Sequence, residues 1–195
     1  MGLLSTPART ALVAVLAAQR VAELRRSSRN RVQAGDGTPA SPETYPLMVA
    51  AHVALFATAI RPRRRRRIPV AVEASALAGV AGAVALRLWV VGTLGETWNV
   101  TAHVPASMPV VRSGPYRWLR HPNYTAVALE FACLPLAVGA VDDVLWLSAA
   151  NALVLWPRVR AEEALLDRVP GYREAFAGVP RFLPAVRRRL RNHPG

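Results

Sequence analysis

Long apolar runs alternate with short polar, arginine-rich ones along this chain. Five apolar segments are readable: Leu3 to Ala22, Tyr45 to Ile60, Ile68 to Val91, Tyr124 to Val141 and Val144 to Trp156. Each exceeds the length of an ordinary strand, so the pattern predicts helices. A bilayer crossing takes about 20 apolar residues. The third run meets this length, the second is short, and the first is interrupted by Arg9, Gln19 and Arg20. Asp142 and Asp143 alone separate the last two runs, which predicts a tight antiparallel helical hairpin. The expected fold is all-α: a polytopic integral membrane protein of about five transmembrane helices, followed by a cytoplasmic C-terminal helical segment.

Between the runs lie polar connections. Residues 25–44 (RRSSRNRVQAGDGTPASPET) read as a loop. RPRRRRR at 61–67 is a basic knot, 93–123 a longer loop, and the chain from Arg158 onward an amphipathic stretch with a basic tail. The division is 1–92 for the N-terminal helices and 93–195 for a loop, hairpin and tail, acting as one functional domain. The positive-inside rule puts the C-terminal tail in the cytoplasm together with the 25–44 and 93–123 loops. RPRRRRR then falls outside, against the rule. Either it departs from the rule, or the short second segment is re-entrant or interfacial.

Composition sharpens this picture. The 195 residues are 52% hydrophobic with mean hydropathy +0.20, yet carry a formal net charge of +13. Such values coexist only if apolar and basic residues are segregated. Every basic Lys/Arg position is arginine, which with abundant Ala and Val hints at a GC-rich bacterial genome. One cysteine, Cys133, excludes an intrachain disulfide and a cysteine metal cluster, and reads as a packing residue. The basic knot has a nucleic-acid reading, but it abuts an apolar run and has no aromatic-interleaved surface, so anionic headgroups are the expected partner. Positive charge follows the first apolar run instead of preceding it, the reverse of a signal peptide.

The candidate chemistry lies at depth. Ionisable side chains inside a membrane are costly and point to function. Glu130 follows Asn123 by seven residues, which sets both on one helix face. Asn151, Arg158 and Glu162 repeat at seven and four, lining one face of the fifth helix. These two stripes predict one polar slot. Tyr45 and His52 share a face of the second helix, and Arg20 and Glu23 are an i,i+3 pair. For all of these, interhelical hydrogen bonding is the structural alternative. The four histidines do not pair at i,i+3 or i,i+4, so no metal is expected. Gly35-Asp36-Gly37 has no strand before it and is no dinucleotide motif. A proton-coupled transporter is disfavoured because no internal repeat is visible.

GPYRWLRHPNY at 114–124, followed by RVRAEEALL, PGYREAF and VPRFLP, resembles the isoprenylcysteine carboxyl methyltransferase family and its phospholipid-methyltransferase relatives. The match covers roughly the last 100 residues. QRVAEL, SRNR, Tyr45-Pro46 with His52, and RLWVVGTLGETWNV resemble bacterial members that O-methylate alkylresorcinols and alkylpyrones. The resemblance implies S-adenosylmethionine as methyl donor. It implies donor contacts at Tyr116, His121, Pro122, Asn123, Tyr124 and Glu162, with backbone contacts near Val110 and Val111, and a substrate-side arginine at Arg158. A phenolic or enolic acceptor, with pKa near 10, benefits from a base. Glu130 is the candidate base or hydroxyl-orienting group, with Asn151 and Arg158 steadying developing charge. The implied activity is O-methylation of a membrane-embedded phenolic lipid or alkylpyrone, in the bacterial cytoplasmic membrane with the donor site facing the cytoplasm. Carboxyl methylation of an isoprenylcysteine-like substrate shares the donor. A non-enzymatic lipid-binding or transport protein remains a separate class. Sequence leaves the oligomeric state open.

Overall fold

The computed structural model describes residues 3–34, 38–62, 66–101, 103–104 and 109–184. Gly35-Asp36-Gly37, Arg63–Arg65 of the basic knot and the arginine tail from 185 lie outside the described residues. Five long helices form the body: α1 (Thr6–Ala34), α2 (Thr44–Ile60), α3 (Val70–Leu94), α4 (Pro122–Ala137) and α5 (Val141–Leu166). A single turn, α6 (Tyr172–Ala175), follows. Two-residue segments β1 (Thr38–Pro39) and β2 (His103–Val104) pair antiparallel, Thr38 opposite Val104.

Successive long helices run in opposite directions, as contacts at their ends establish. The backbone N–H groups of Leu3 and Leu4 donate to the Glu73 carboxylate at 2.7 and 3.3 Å, joining the starts of α1 and α3. Arg66, just before α3, donates to the Gly139 carbonyl at 3.2 Å and pairs with Asp142 at 2.8 Å. The end of α1 instead meets the segment after α3, where Asn30 Nδ2 donates to the carbonyls of Gly95 (3.1 Å) and Trp98 (2.8 Å). The start of α2 reaches α5 there, with Arg158 Nη1 donating to Thr44 Oγ1 at 3.3 Å.

Three boundaries differ from the sequence expectation. The stretch 25–44, expected as a loop, is helical through Ala34. Glu23, Ser27 and Asn30 recur at helical spacing and are buried, so tertiary hydrogen bonds extend α1 past its apolar part. The α4–α5 turn falls at 138–140, and Asp142 and Asp143 open α5, where the helix dipole favours carboxylates. The fifth helix continues through Pro157 to Leu166, well beyond Trp156.

One core joins all five helices, with Leu16, Leu55, Val80, Phe131, Leu134 and Leu147 in the same cluster. Gly79 lets α3 approach α4 closely: a Cβ there would overlap Cys133 Sγ and stand 3.2 Å from Cys133 Cβ. Large apolar side chains also face outward, among them Val15, Val53, Leu88, Leu145 and Leu153. Val70–Thr97 is long and apolar enough to cross a bilayer, and Thr44–Ile60 is a shorter apolar helix.

Candidate functional site

A cleft opens where α3 and α5 end and α4 begins, on one side of the bundle. It starts at Gly114. This residue has φ +55°, and a Cβ would collide with the Thr93 hydroxyl and approach Trp89 Nε1 at 3.1 Å. Only glycine satisfies both the left-handed backbone and the close approach. A 3₁₀ turn over Gly114–Arg117 follows, and it presents Tyr116 to the cleft. His121 then caps α4 with non-helical backbone, and Pro122 takes the first helical position, where its missing N–H costs nothing.

The C-terminal segment straps this corner. The N–H groups of Arg120 and His121 donate to the carbonyls of Pro180 (2.9 Å) and Arg181 (3.0 Å). Thr125 Oγ1 donates to the Phe182 carbonyl at 3.0 Å. The buried His121 ring has Tyr124 at 5.6 Å and Phe182 at 6.0 Å, centroid to centroid.

The paired glutamates divide the work. Glu162 lines the cleft and accepts a hydrogen bond from the Tyr124 hydroxyl. Arg158 Nε donates to that same hydroxyl oxygen at 3.0 Å, and its Nη2 donates to the Val100 carbonyl. Glu163 belongs to the strap. It accepts Arg181 Nε and Nη2, both at 2.8 Å, and His121 Nε2 at 3.1 Å. Burial alone would raise its pKa, but the hydrogen bonds from Arg181 and His121 hold it down to about 2. Burial first, and then the nearby Glu162 charge, push the Tyr116 and Tyr172 phenols well above the ordinary value, so both are neutral donors.

Of the residues expected to hold a donor, Val110, Val111, Tyr116, His121, Asn123, Tyr124 and Glu162 all line this one cleft. Pro122 sits behind it, buried at the start of α4. The cleft encloses about 850 Å³ of empty space, its open mouth included. Trp98, Arg120 and Tyr172 also line it and were not singled out in the sequence. Their only signals were the GETWNV, RHP and PGY contexts around them.

The expected acid–base group is dispersed. Glu130 is buried and accepts from Arg20, whose other partner is Glu23 at 3.3 Å. Arg87 closes the cluster: its Nε donates to both Glu23 oxygens (2.8 and 2.7 Å), and its Nη1 to Asn123 Oδ1 at 3.0 Å. Asn123 and Glu130 thus share a face, as their spacing predicts, and meet one charge network. Arg158 serves the cleft, and Asn151 lines a separate apolar groove between α4 and α5. The predicted single slot is therefore three surroundings, with Asn123 joining the Glu130 network to the cleft.

Comparisons with known proteins agree with the motif. A sequence model described as the isoprenylcysteine carboxyl methyltransferase (ICMT) family matches residues 76–168. The chain is also 30% identical over 159 residues to the uncharacterized protein YpbQ of Bacillus subtilis (strain 168), covering 80% of this chain and 95% of that protein.

Proposed function

Since the chain belongs to the isoprenylcysteine carboxyl methyltransferase family, we propose that it is a membrane-embedded methyltransferase using S-adenosylmethionine, with a hydroxyl-bearing lipid as acceptor. The supporting observation is the convergence of loop 109–123, the start of α4 and the end of α5 on one cleft lined by a carboxylate, a guanidinium and aromatic rings. A zwitterionic donor with an adenine fits this set. Glu162 would hold its ammonium, and Arg120 with the start of α4 its carboxylate. Tyr116, Tyr172 and Trp98 would wall the adenine. Trp98 Nε1 and Arg120 Nε are buried donors without partners among the described residues, as expected of a site made for a polar ligand.

The bound donor supplies an electrophilic methyl group. The chain's own residues align and exclude water. Arg158 and Glu162 fix the Tyr124 hydroxyl between them. Glu130 holds Arg20 beside Glu23 in the charge network, and Asn151 borders the α4–α5 groove. We read the apolar parts of all five long helices as spans, with the polar ends of α1 and α5 projecting beyond them. Their outward Val and Leu residues suit lipid, and alternating directions bring Arg25, Arg26, Arg29, Arg112, Arg117 and Arg120 to the cleft end. By the positive-inside rule that end faces the cytoplasm.

Titration of the detergent-solubilised protein with S-adenosylmethionine is the test. Binding that Glu162→Gln weakens at least tenfold, with methyl transfer to long-chain phenols, is expected. Absence of donor binding by the wild-type chain would sink the reading.

A further inference from the structure

A second depression lies between α1 and α2, and the donor site does not use it. Its walls are Ala17, Val21 and Leu24 from α1 and Met48, Val53 and Phe56 from α2. Val21, Leu24 and Val53 are exposed at the rim, so the groove opens sideways to the helix surroundings. Its lining also includes Arg20, Glu23, Arg87 and His52. An apolar trough with polar atoms at its floor suits a ligand that carries both an apolar chain and a polar head.

Three atoms around that floor are buried with no hydrogen-bond partner among the described residues: Arg20 Nε, His52 Nε2 and Glu130 Oε1. His52 is the informative one. Its Nδ1 lies 2.8 Å from the Met48 carbonyl oxygen. A carbonyl only accepts, so Nδ1 carries the proton and Nε2 presents a lone pair. The edge-to-face contact with Phe131, at 5.1 Å, holds the ring.

Charge at the floor is balanced, with Arg20 and Arg87 facing Glu23 and Glu130. A carboxylate head gains little net attraction there. A neutral hydroxyl can donate to a lone pair and accept from a guanidinium. The floor also reaches the donor cleft. Val100 lines both spaces, and Arg87 donates to Asn123, which lines the cleft. The α4–α5 groove touches the cleft through Tyr124, whose hydroxyl is already held by Glu162 and Arg158.

We propose that the α1–α2 groove seats the acceptor, a single-chain lipid with a neutral phenolic or enolic hydroxyl, and that His52 Nε2 takes the hydroxyl proton. This rests on the methyltransferase reading for the chemical step. In that step the new O–CH₃ bond forms as the sulfonium S–CH₃ bond breaks. The O–H proton passes to His52, which becomes imidazolium, the sulfonium becomes a thioether, and water later removes the proton. Glu130 then orients Arg20 instead of serving as the base.

Two measurements test this. First, a long-chain alkylphenol, its methyl ether and a farnesylated thioether carboxylate are titrated into detergent-solubilised protein without donor. The phenol is expected to bind at least tenfold tighter than the other two. Val49→Trp, which fills the groove, should abolish phenol binding, and Ala128→Trp, in the α4–α5 groove, should not. The opposite pattern, or preference for the carboxylate, overturns the site. Second, kcat/KM for the phenol is followed against pH in the wild type, His52→Gln and Glu130→Gln, each checked for unchanged donor binding as a sign of correct folding. His52→Gln is expected to lose about a hundredfold or more and the fall toward low pH. Glu130→Gln should retain that fall. Arg20, Arg87 and Glu23 are the charged groups around the ring, and Glu130 pairs with Arg20, so a fall that vanishes in Glu130→Gln and persists in His52→Gln assigns the base to Glu130 and overturns the proposal. Failure of donor binding would defeat the methyltransferase reading while leaving the acceptor titration to judge the groove.

Discussion

Tyr124 stands between the half-buried Glu162 carboxylate and the buried Arg158 guanidinium, and its single hydroxyl serves each. Tyr124→Phe leaves Arg158 and Glu162 with unmet hydrogen bonds, at a cost of about 1–3 kcal/mol. A lower thermal midpoint and weaker donor binding are expected together. Glu163 makes a pH prediction. Its folded pKa, about 2, lies below the ordinary 4.5. The unfolded chain therefore takes up a proton first, so the stabilisation is complete above about 4.5 and disappears as pH falls toward 2. Thermal unfolding across this window should show a decline that Glu163→Gln reduces, with Glu163→Gln less stable than wild type at neutral pH. Sequence reading could see the glutamate pair but not its division of labour, because Arg181 lies 18 residues away in the chain and only the strap brings it back.

Helices α3 and α4 meet where a glycine faces a cysteine. Gly79→Ala forces a methyl group onto Cys133 Sγ, and overpacking of this kind costs about 1–3 kcal/mol. Cys133→Ala alone should cost less, and the double variant should recover most of the Gly79→Ala loss. A double-mutant cycle on thermal unfolding in detergent measures the coupling. Additive effects would mean that the two residues do not touch. Helix existence was legible, since each apolar run became a helix. The ends were not. Polar α1 residues 23–30 stay helical because Ser27 and Asn30 bond the segment after α3, a contact 65 to 73 residues distant in sequence.

The molecule as a whole presents apolar side chains outward from its helices and polar clusters inward. Leu153, near the middle of α5, is 77% exposed. In a bilayer, Leu153→Arg costs about 2.5–3.5 kcal/mol by insertion scales. On a water-facing surface the same change would lie within about 0.5 kcal/mol. Resistance to alkaline extraction from membranes separates the two, and Leu153→Arg is expected to reduce the integrated fraction. A normal integrated fraction would argue that this face does not meet lipid.

The sequence by itself determined the helical body, the segregation of arginine from apolar runs and most of the residues that line the cleft. Periodicity and Pro, Gly and His placement act over a few residues and are visible locally. The motif at 114–124 carried Tyr116, His121, Asn123 and Tyr124, and the pair at 162–163 supplied Glu162. Only the tertiary structure decided what each buried charge faces. Glu130 meets Arg20 across 110 residues, Arg158 reaches Thr44 across 114, and His52 keeps a nitrogen without a partner among the described residues, beside an apolar groove. Helical spacing gives the direction of a side chain on its own helix, but its partner depends on how the helices are rotated and packed against one another.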